Sequence, residues 1–576
     1  MNTFKKTVKS AIVLIVLTLI VSCKSEKKED AADMVFTNGK VYTVNKNEPW
    51  AESVAIKDDK IVFVGSSEEA KKYIDEHTET TDLNGKMMLP GFVDAHSHPI
   101  AGGLIMTGID LQSDDTNEIF NKLKKYVTKN SDHKIVQGYG VRFNPWNGNW
   151  PTAKMLDEIE SERPVYLWTI DGHGAWVNSK ALELAGIDKN TPEPVPGYSF
   201  FTRDNEGNPT GWIVELPAQM QVLNALVKVD SDYIARGVAE WLPRFAASGL
   251  TSIQDLGMGG QPEDMGFALF QKLEEEGKLP IRLQGVYYWN NPEIDPIPEI
   301  VRLRKTFNSE LVKATHLKIN VDGGDDKHNA LYVDGYADKP ELKVDPIIPV
   351  AIINDAVHRA DSLGIDIASH CFGDGAVRII LDAVELARKA NPDRKRYNLI
   401  NHGLLIHPDD YSRFKELDVA YETTGAWMSL DPAMIDITMK RLGEERVNLY
   451  APVNKIHALG GRVALGSDWP VSGYISEYRP LSEIQGAVTR QLPGRENFPP
   501  LGGESAKIPL DLALFMQTYG AADAMGISNI TGSIEKGKKA DLVILEKNLF
   551  DVQPNEISTV KVLSTMLNGK YTHQSN

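Results

Sequence analysis

The sequence predicts an α/β fold, a (β/α)8 TIM-type barrel with a small β-sandwich domain built from both chain ends. Three observations support this prediction. Short apolar runs alternate with helical patterns through the middle of the chain, short strands with N-G and D-D turns occupy both ends, and metal-capable side chains follow one apolar run after another. The length of 576 residues suits one large domain plus a smaller one.

The first residues have the pattern of an export signal. Three lysines precede the apolar run Ala11–Val21, which is shorter than the roughly 20 residues of a membrane-spanning helix. Residues 20–23, I-V-S-C, end at Cys23 and resemble a bacterial lipobox, in which cleavage before the cysteine leaves its thiol to be lipidated. We therefore expect a lipoprotein signal peptide over residues 1–22 and a polar tether over 23–33. An ordinary secretory peptide with a chance cysteine is the alternative.

The leader, the net charge and the cysteine count predict the location of the protein and the classes of its binding partners. Lipid on Cys23 would anchor it to a membrane of the cell envelope, with the outer membrane, on its periplasmic or surface face, as the expected place. A net charge of -17, with no basic run beyond the leader, argues against nucleic acid as a partner. Only Cys371 remains besides Cys23, so there is no disulfide framework. A small-molecule substrate is the expected partner, and a homodimer stays open.

The two chain ends are expected to fold together. Residues 34–89 and 526–576 contain short strands, but neither segment has enough apolar surface to be stable alone, whereas together they can form a two-sheet sandwich. Residues 90–525 are then the barrel, with an insertion around 142–215. The insertion contains tryptophans that could wall an apolar pocket or fill a core: Trp146, Trp150, Trp176 and Trp212.

Buried parallel strands of β/α units are predicted at short apolar runs of the central region. The runs are V-Y-L-W-T-I, T-S-I-Q-D, I-R-L-Q-G-V, H-L-K-I-N-V, D-I-A-S-H, L-I-N-H and V-A-L-G-S-D, and P-G-F-V-D-A-H-S-H-P precedes them all. A barrel of this kind carries its catalytic groups at the C-terminal ends of its strands.

Metal-capable side chains stand at those predicted strand ends. In P-G-F-V-D-A-H-S-H-P the two histidines are two residues apart, so they point to the same face of a strand. The full set is His96, His98, Lys318, His370, His402 and Asp468. A single histidine at a strand end is more often a hydrogen-bonded core residue, but six such groups in order favour a metal centre.

Several longer motifs carry a family resemblance. They are P-G-F-V-D-A-H-S-H-P, S-H-C-F-G-D-G-A-V, N-H-G-L-L-I, L-G-S-D-W-P-V and G-S-I-E-K-G-K-K-A-D-L-V-I-L, with D-G-H-G-A-W-V-N-S-K-A-L and G-N-P-T-G-W-I-V-E in the insertion. Together they resemble the amidohydrolase superfamily, and within it the amidohydrolase-3 branch that is similar to N-substituted formamide deformylases. The resemblance extends from Met34 to the end of the chain.

The resemblance implies a ligand set for a buried divalent metal. His96 and His98 would bind one metal, Lys318 would bridge as a carbamate formed with carbon dioxide, and His370 and His402 would bind a second metal. A buried lysine can react in this way because burial favours its uncharged amine. The alternative is an unmodified Lys318 paired with Asp322, which would leave a mononuclear site or another bridge.

The expected chemistry follows from these ligands. Imidazole and carboxylate ligands suit zinc, with one or two ions per chain, and the metal would activate a hydroxide at neutral pH. Asp468 would contact the metal and shuttle the proton from the hydroxide to the leaving nitrogen. His173, in the D-G-H turn, would face the substrate and hold the oxyanion, unless it only caps the turn. The expected reaction is hydrolysis of a non-peptide C–N bond, of amide or N-formyl type, in a small molecule.

Two other interpretations stay open at this point. A cyclic-amide, lactone or ester hydrolase could use the same hydroxide, and a non-catalytic lipoprotein could bind a small ligand in a decayed barrel. The retained Asp468 argues against decay, because a binding module needs no proton shuttle. Family membership does not name a substrate. The charged segment D-G-G-D-D-K-H-N-A-L at residues 322–331 departs from the small-residue loop of the branch and puts inherited specificity in doubt.

Overall fold

The computed structural model describes residues 31–146 and 149–575. Its centre is an eight-stranded parallel sheet that curls into a nearly closed barrel, so the predicted α/β barrel is confirmed. Barrel strands 1 to 8, in chain order, are Phe92–Ser97, Leu250–Asp255, Arg282–Trp289, Val312–Asn320, Asp366–Cys371, Leu399–His402, Ala420–Thr424 and Arg462–Gly466. Every neighbouring pair is parallel, and the strands are buried along most of their length, as expected of strands covered on both faces.

The first and last barrel strands meet at their C-terminal ends. Ser97 and Trp469 form a parallel bridge, and the N–H of His98 donates to the carbonyl oxygen of Trp469 at 2.7 Å. The N–H groups of Ser467 and Asp468 both donate to the carbonyl oxygen of His96, at 3.1 and 2.7 Å. The barrel is therefore joined at the residues that carry the predicted metal ligands.

Helices cover the outside of the barrel. Their amphipathic faces pack on the apolar outer side chains of the strands. Those between or after the barrel strands are Pro99–Ile105, Ser231–Ala247, Glu263–Glu275, Ile297–Thr306, Val350–Ser362, Asp374–Ala390, Arg413–Glu416, Met439–Leu442, Glu444–Val447, Val453–Ala458, Pro480–Thr489, Leu510–Phe515 and Ala521–Ala524. A short helix, Ser67–Ala70, lies in the N-terminal segment, where Ser66 and Glu69 form a capping box.

A separate six-stranded sheet follows barrel strand 1. Its order is Phe200–Arg203, Pro209–Val214, Gly174–Val177, Val165–Thr169, Val136–Val141 and Ile109–Asp110, with helices Thr116–Lys129, Ala153–Asp157, Ser179–Ala185 and Leu216–Leu226 around it. It begins earlier than the insertion expected around residues 142–215. The run V-Y-L-W-T-I, predicted as a barrel strand, lies in this sheet and pairs in parallel with Val136–Val141, so that assignment was wrong.

Two further sheets come from the chain ends. One is N-terminal alone, in the order Lys60–Gly65, Ser53–Lys57, Met34–Thr37 and Glu79–Asp82. The other combines both ends, in the order Lys570–Gln574, Val562–Leu567, Leu542–Leu545, Met87–Pro90, Lys40–Tyr42 and Trp50–Ala51. A shared apolar cluster joins them, with Phe36 and Val54 from the first and Val41, Met88 and Leu542 from the second. This packing of the two ends partly supports the expected sandwich.

The expected leader and Cys23, the expected site of lipidation, lie outside the described residues. Among the residues that are described, no helix is both long enough and apolar enough to cross a bilayer.

A buried ion pair joins the C-terminal sheet to the barrel. Arg282 on barrel strand 3 donates to Asp541 at 2.7 Å, and both side chains are almost fully buried. Asp541 also accepts the N–H of Asn568 at 2.8 Å, so the pair is embedded in further hydrogen bonds. Removing one partner of such a pair leaves the other charge buried and uncompensated.

We therefore expect Arg282→Met to lower the free energy of unfolding by about 3–5 kcal/mol, measured as a shift of the first transition in urea. Arg302→Met is the matched control, because Arg302 pairs with Asp264 at a half-exposed surface position and should contribute about 0–1 kcal/mol. Equal effects of the two substitutions would contradict a structural role for the buried pair.

Candidate metal centre

A carboxylate and two imidazoles meet where the barrel closes. Asp468 follows barrel strand 8, and its Oδ1 lies 3.2 Å from His96 Nε2 and 3.1 Å from His98 Nε2. The other ring nitrogen of His98 lies 2.7 Å from the carbonyl oxygen of Gly257, which fixes the ring so that Nε2 faces the centre. The backbone of Asp468 is in the left-handed region, with φ of 53°, and this turn brings its side chain back over the barrel end.

Two more histidines stand beside this group. One ligand atom each from His96, His402 and Asp468 lie within 4.8 Å of one another, and the His370 and His402 rings are 4.3 Å apart between centroids. Both ring nitrogens of His402 and Nε2 of His370 are buried without a hydrogen-bond partner in the described part of the chain. Buried polar atoms are normally paired, so these unpaired nitrogens fit a divalent metal ion bound between them.

Lys318 belongs to a buried polar chain next to the histidines. Its Nζ donates to Asn401 Oδ1 at 2.6 Å, and Asn401 Nδ2 donates to Glu422 Oε2 at 2.9 Å. The same Glu422 oxygen lies 2.9 Å from His96 Nδ1. Glu422 therefore orients His96 from behind, with the ring nitrogen that faces Asp468 left for a metal.

Burial controls the charge of this cluster. Desolvation, reinforced by the Lys318 charge, lowers the pKa of His370 to about 3, and desolvation also lowers the pKa values of His96 and His402. Desolvation lowers the pKa of Lys318 and raises that of Glu422. The three histidines are thus neutral near pH 7, which is the form of imidazole that binds metals. At His98 desolvation lowers the pKa, but the hydrogen bond and charge of Asp468, together with the Asp255 charge and the Gly257 carbonyl, raise the pKa overall.

Asp322 organises the loop after barrel strand 4. Its carboxylate accepts the N–H groups of Leu331, Phe372 and Gly373 at 2.8–3.0 Å, and its Oδ1 lies 3.9 Å from His370 Nε2. Lys318 does not pair with it in this structure, because Lys318 binds Asn401 instead. Asp322 therefore holds together the loops that follow strands 4 and 5.

Aromatic side chains flank the centre. The indole of Trp427 stacks on the His402 ring with centroids 5.1 Å apart, and Phe372 lies 5.9 Å from Trp427. Tyr288, on barrel strand 3, is close enough to Asp468 for that carboxylate to reinforce the effect of burial, which raises the tyrosine pKa to about 12. These three residues were not singled out from the sequence, because nothing local distinguishes them from core aromatics.

The tryptophans of the insertion, for which a pocket wall and a core were both open, lie away from the histidines. Trp146, Trp176 and Trp212 are buried in the apolar core of the inserted sheet, and Trp150 stacks on Trp212 at its surface. They stabilise the insertion, whereas Phe372 and Trp427 are the aromatics beside the histidines.

His173 lies in a second polar group, at the edge of the inserted sheet. Its Nδ1 is 2.9 Å from Glu215 Oε2, and Lys327 donates to the other oxygen of Glu215. The imidazole does not cap its own turn, because Asp171 accepts the N–H of His173 and Thr169 accepts the N–H of Gly174. The side chain is 54% exposed, unlike the buried histidines of the barrel.

The structure thus brings His96, His98, Lys318, His370, His402 and Asp468 together at one end of the barrel. That these six residues bind metal stays a prediction, as does the catalytic role of His173. Sequence reasoning missed Glu422 and Asn401. Asn401 immediately precedes His402 and could have been noticed, whereas Glu422 stands in A-Y-E-T-T, a run that is too polar to suggest a buried strand.

This barrel, with histidines and an aspartate converging at its strand ends, has the architecture of a metal-dependent hydrolase. The sequence matches the model of the amidohydrolase family over residues 79–573, and the chain belongs to that family.

Two relatives and one solved structure cover most of this chain. Protein LONG AFTER FAR-RED 3 of Arabidopsis thaliana is 31% identical over 94% of this chain and 91% of its own length. N-substituted formamide deformylase of Arthrobacter pascens is 26% identical over 93% of this chain and 97% of its own. An uncharacterized metal-dependent hydrolase of Pyrococcus furiosus shares the fold, with a TM-score of 0.68 and 24% identity over 89% of this chain and 99% of that one.

The contact between Glu422 and His96 gives a prediction for metal affinity. Glu422→Gln keeps the side-chain volume but replaces the carboxyl group that contacts His96 Nδ1 with an amide, which is a weaker hydrogen-bond acceptor. Loss of such an outer partner typically weakens metal binding by about 10–100-fold, and we expect a decrease of this size in a zinc-competition titration.

Glu483→Gln is the matched control for this titration. Glu483 is equally buried, but its carboxylate accepts the N–H of Ala426 rather than contacting a histidine, so this variant should bind zinc as the parent protein does. Unchanged affinity in Glu422→Gln would show that Glu422 does not tune the centre.

Proposed function

We propose that this protein is a metal-dependent hydrolase that cleaves a non-peptide C–N bond, of amide or N-formyl type, in a small molecule. The observation that carries the proposal is the convergence of His96, His402 and Asp468 within 4.8 Å, with buried ring nitrogens that have no partner among the described residues. The likeness to N-substituted formamide deformylase along nearly the full length of both chains supports the choice of bond.

The proposed residues have two roles, metal binding and proton transfer, and Asp468 takes part in both. His96, His98 and Asp468 would hold one zinc ion, and His370 and His402 would hold a second, with a carbamate on Lys318 as the bridge. A bound divalent metal makes a coordinated water more acidic and polarises a carbonyl group. Burial of Lys318 supports the carbamate, because lowering the pKa of the amine raises the fraction of uncharged nitrogen that can attack carbon dioxide.

Asp468 is the group positioned to move protons. One carboxylate oxygen is shared between His96 and His98, and the other lies 3.9 Å from His402, so the side chain occupies the middle of the centre. It would accept a proton from the attacking water and deliver it to the leaving nitrogen, which departs as a neutral amine. Tyr288 and His173 are the hydrogen-bond donors available for the carbonyl oxygen on which negative charge develops.

The proposal is tested with the purified protein and a panel of substrates. The panel contains N-alkyl and N-aryl formamides, other N-acyl amines, cyclic amides, lactones and esters, and metal content is measured by elemental analysis. We expect one or two zinc ions per chain and fastest turnover of the formamides or N-acyl amines. Turnover of lactones or esters alone would show that the protein is a hydrolase but would contradict the proposed cleavage of a C–N bond. Absence of metal uptake would contradict the metal-dependent mechanism.

Asp468→Asn separates metal binding from catalysis. The remaining ligands can hold metal, but an amide cannot accept the proton of the attacking water. We expect most of the metal to be retained, while kcat on the best panel substrate falls by about 10²–10⁴-fold with a smaller change in KM.

His96→Ala is the contrasting variant in this experiment, because it should lose metal and activity together. Near-normal turnover in Asp468→Asn would exclude Asp468 as the proton carrier.

We also propose that Cys23 carries a lipid anchor that holds the protein in the cell envelope. The apolar run and the I-V-S-C motif before the polar tether support this location. Cys23→Ser should abolish incorporation of labelled palmitate in bacteria and release the protein from the membrane fraction, as followed by immunoblotting. Cys371→Ser is the control and should leave both unchanged, because that thiol is buried beside the metal centre. Continued labelling of Cys23→Ser would contradict the proposal.

A further inference from the structure

Outside the metal centre, His173, Glu215 and Lys327 form one charged group that joins three separate segments of the chain. His173 is in the turn after Val165–Thr169, Glu215 directly follows the strand Pro209–Val214, and Lys327 is in the loop after barrel strand 4. Both oxygens of the Glu215 carboxylate are engaged, one with His173 Nδ1 at 2.9 Å and one with Lys327. Tyr198 donates to the Oε2 atom that also contacts His173, at 3.3 Å.

This group lies over the C-terminal mouth of the barrel. Gly172 packs near the loops that follow strands 1 and 8: a Cβ built on it would be 3.3 Å from Ile105 and 3.9 Å from Val471. Lys327 comes from the loop after strand 4, only nine positions along the chain from Lys318. The turn that carries the imidazole therefore packs against the residues that follow strands 1 and 8, and the loop that follows strand 4 contacts Glu215.

The backbone of Glu215 is held in an unfavourable conformation. Its φ is 64° and its ψ is 155°, a region in which residues other than glycine are strained. The N–H of Glu215 donates to the carbonyl oxygen of His173 at 2.8 Å, so the main chains of the two residues are joined as well as their side chains. Strain of this kind persists only where the surroundings fix it, and here it turns the carboxylate towards the imidazole.

One ring nitrogen of His173 is left for a ligand. Nδ1 faces Glu215, and within residues 31–146 and 149–575 no hydrogen bond engages Nε2. The fixed Nδ1 sets the plane of the ring, and Nε2 then points away from the carboxylate. Nδ1 must donate to the Glu215 carboxylate, so Nε2 carries a proton only in the protonated ring, and this imidazolium can donate a hydrogen bond from Nε2 to a substrate oxygen.

We propose that Glu215 is a positioning residue that holds His173 as a hydrogen-bond donor towards the substrate carbonyl, and that Lys327 adjusts the charge of this pair through its contact with the second oxygen of Glu215. The inference rests on the proposed hydrolase function and adds to it a second group of residues that are not metal ligands. Glu215 acts through His173 and does not touch the substrate.

The charges around His173 have opposing effects that an experiment can separate. The hydrogen bond to Glu215 is the largest influence and raises the His173 pKa, whereas desolvation lowers it. Asp171 on the same turn also raises the pKa, and Lys327 lowers it. A raised pKa means that the imidazole stays protonated to higher pH. Activity that needs the Nε2 proton is then present below this pKa and lost as pH rises through it.

The test is an NMR titration of the full-length protein labelled at histidine Cε1, with the His173 signal identified by its absence in His173→Asn. In Glu215→Gln the His173 midpoint should move to lower pH, because the stabilising negative charge is gone. In Lys327→Met the midpoint should move to higher pH, because a competing positive charge is gone. Tyr198→Phe is the matched control, since it removes a contact to Glu215 without changing its charge, and it should move the midpoint much less.

Kinetics on the best panel substrate provide the second measurement. His173→Asn should lower kcat by about 10²-fold with metal content unchanged, the typical loss for one donor to an oxyanion. Glu215→Gln should lower kcat with little change in KM and should shift the alkaline limb of the pH–rate profile in the direction of the NMR midpoint. In the His173→Asn background, Glu215→Gln should have little further effect on kcat.

Several results would overturn the inference. Opposite shifts for Glu215→Gln and Lys327→Met are required, so equal or absent shifts would reject the electrostatic coupling. Equal losses of kcat for Glu215→Gln in both backgrounds would make its role merely structural. Full activity of His173→Asn alongside an inactive Asp468→Asn would contradict this inference but leave the proposed hydrolase function in place. No activity in the parent protein would reject the hydrolase and leave the NMR result to decide the coupling.

Discussion

The joining of barrel strands 1 and 8 at His96 is the contact on which the site depends. The carbonyl oxygen of His96 accepts the N–H groups of Ser467 and Asp468. The hydrogen bonds that close the barrel therefore also place the Asp468 carboxylate. Asp94 reinforces this joint, because its carboxylate accepts the N–H of His96, the N–H of Ser467 and the Ser467 hydroxyl at 2.6–3.0 Å. A shift of strand 8 by one residue would remove the aspartate from both histidines.

The close approach of strands 1, 7 and 8 explains why residue 466 is a glycine. A Cβ on Gly466 would lie 2.5 Å from His96 Cβ and 2.7 Å from Glu422 Oε1. Any larger residue would push apart the imidazole and the carboxylate that orients it. The G-S-D motif therefore combines three requirements: space behind His96, a closing hydrogen bond through Ser467, and the carboxylate of Asp468.

Much of this arrangement could be predicted from the sequence. A buried parallel strand is an apolar run with a polar residue at its end, and that pattern located strands 1 to 6 and 8 with their metal-capable side chains. It did not locate strand 7, Ala420–Thr424, because its threonines and Glu422 make it polar although it is wholly buried. It also assigned V-Y-L-W-T-I to the barrel, since a buried strand of the inserted sheet has the same composition as a barrel strand.

What the sequence could not predict is which distant groups meet. Glu422 and His96 are 326 positions apart, and His173, Glu215 and Lys327 come from three segments whose local patterns say nothing about one another. The tryptophans of the insertion illustrate the same limit. Their spacing is compatible with a pocket wall or a core, and only the packing of the inserted sheet assigns Trp146, Trp176 and Trp212 to a core.

The site consists of a fixed floor and a mouth built from loops. The floor is made of strand ends whose polar groups are paired or converge on the candidate metal centre. The mouth contains Phe372, Trp427 and the segment 322–331, and Asp322 anchors that segment by accepting three backbone N–H groups from two different loops. Because this carboxylate lies beside His370, the shape of the mouth is tied to the floor. Substrate selection can therefore change through the loop residues around Lys327 while the hydrolytic centre stays the same, which is why family membership alone does not name the substrate.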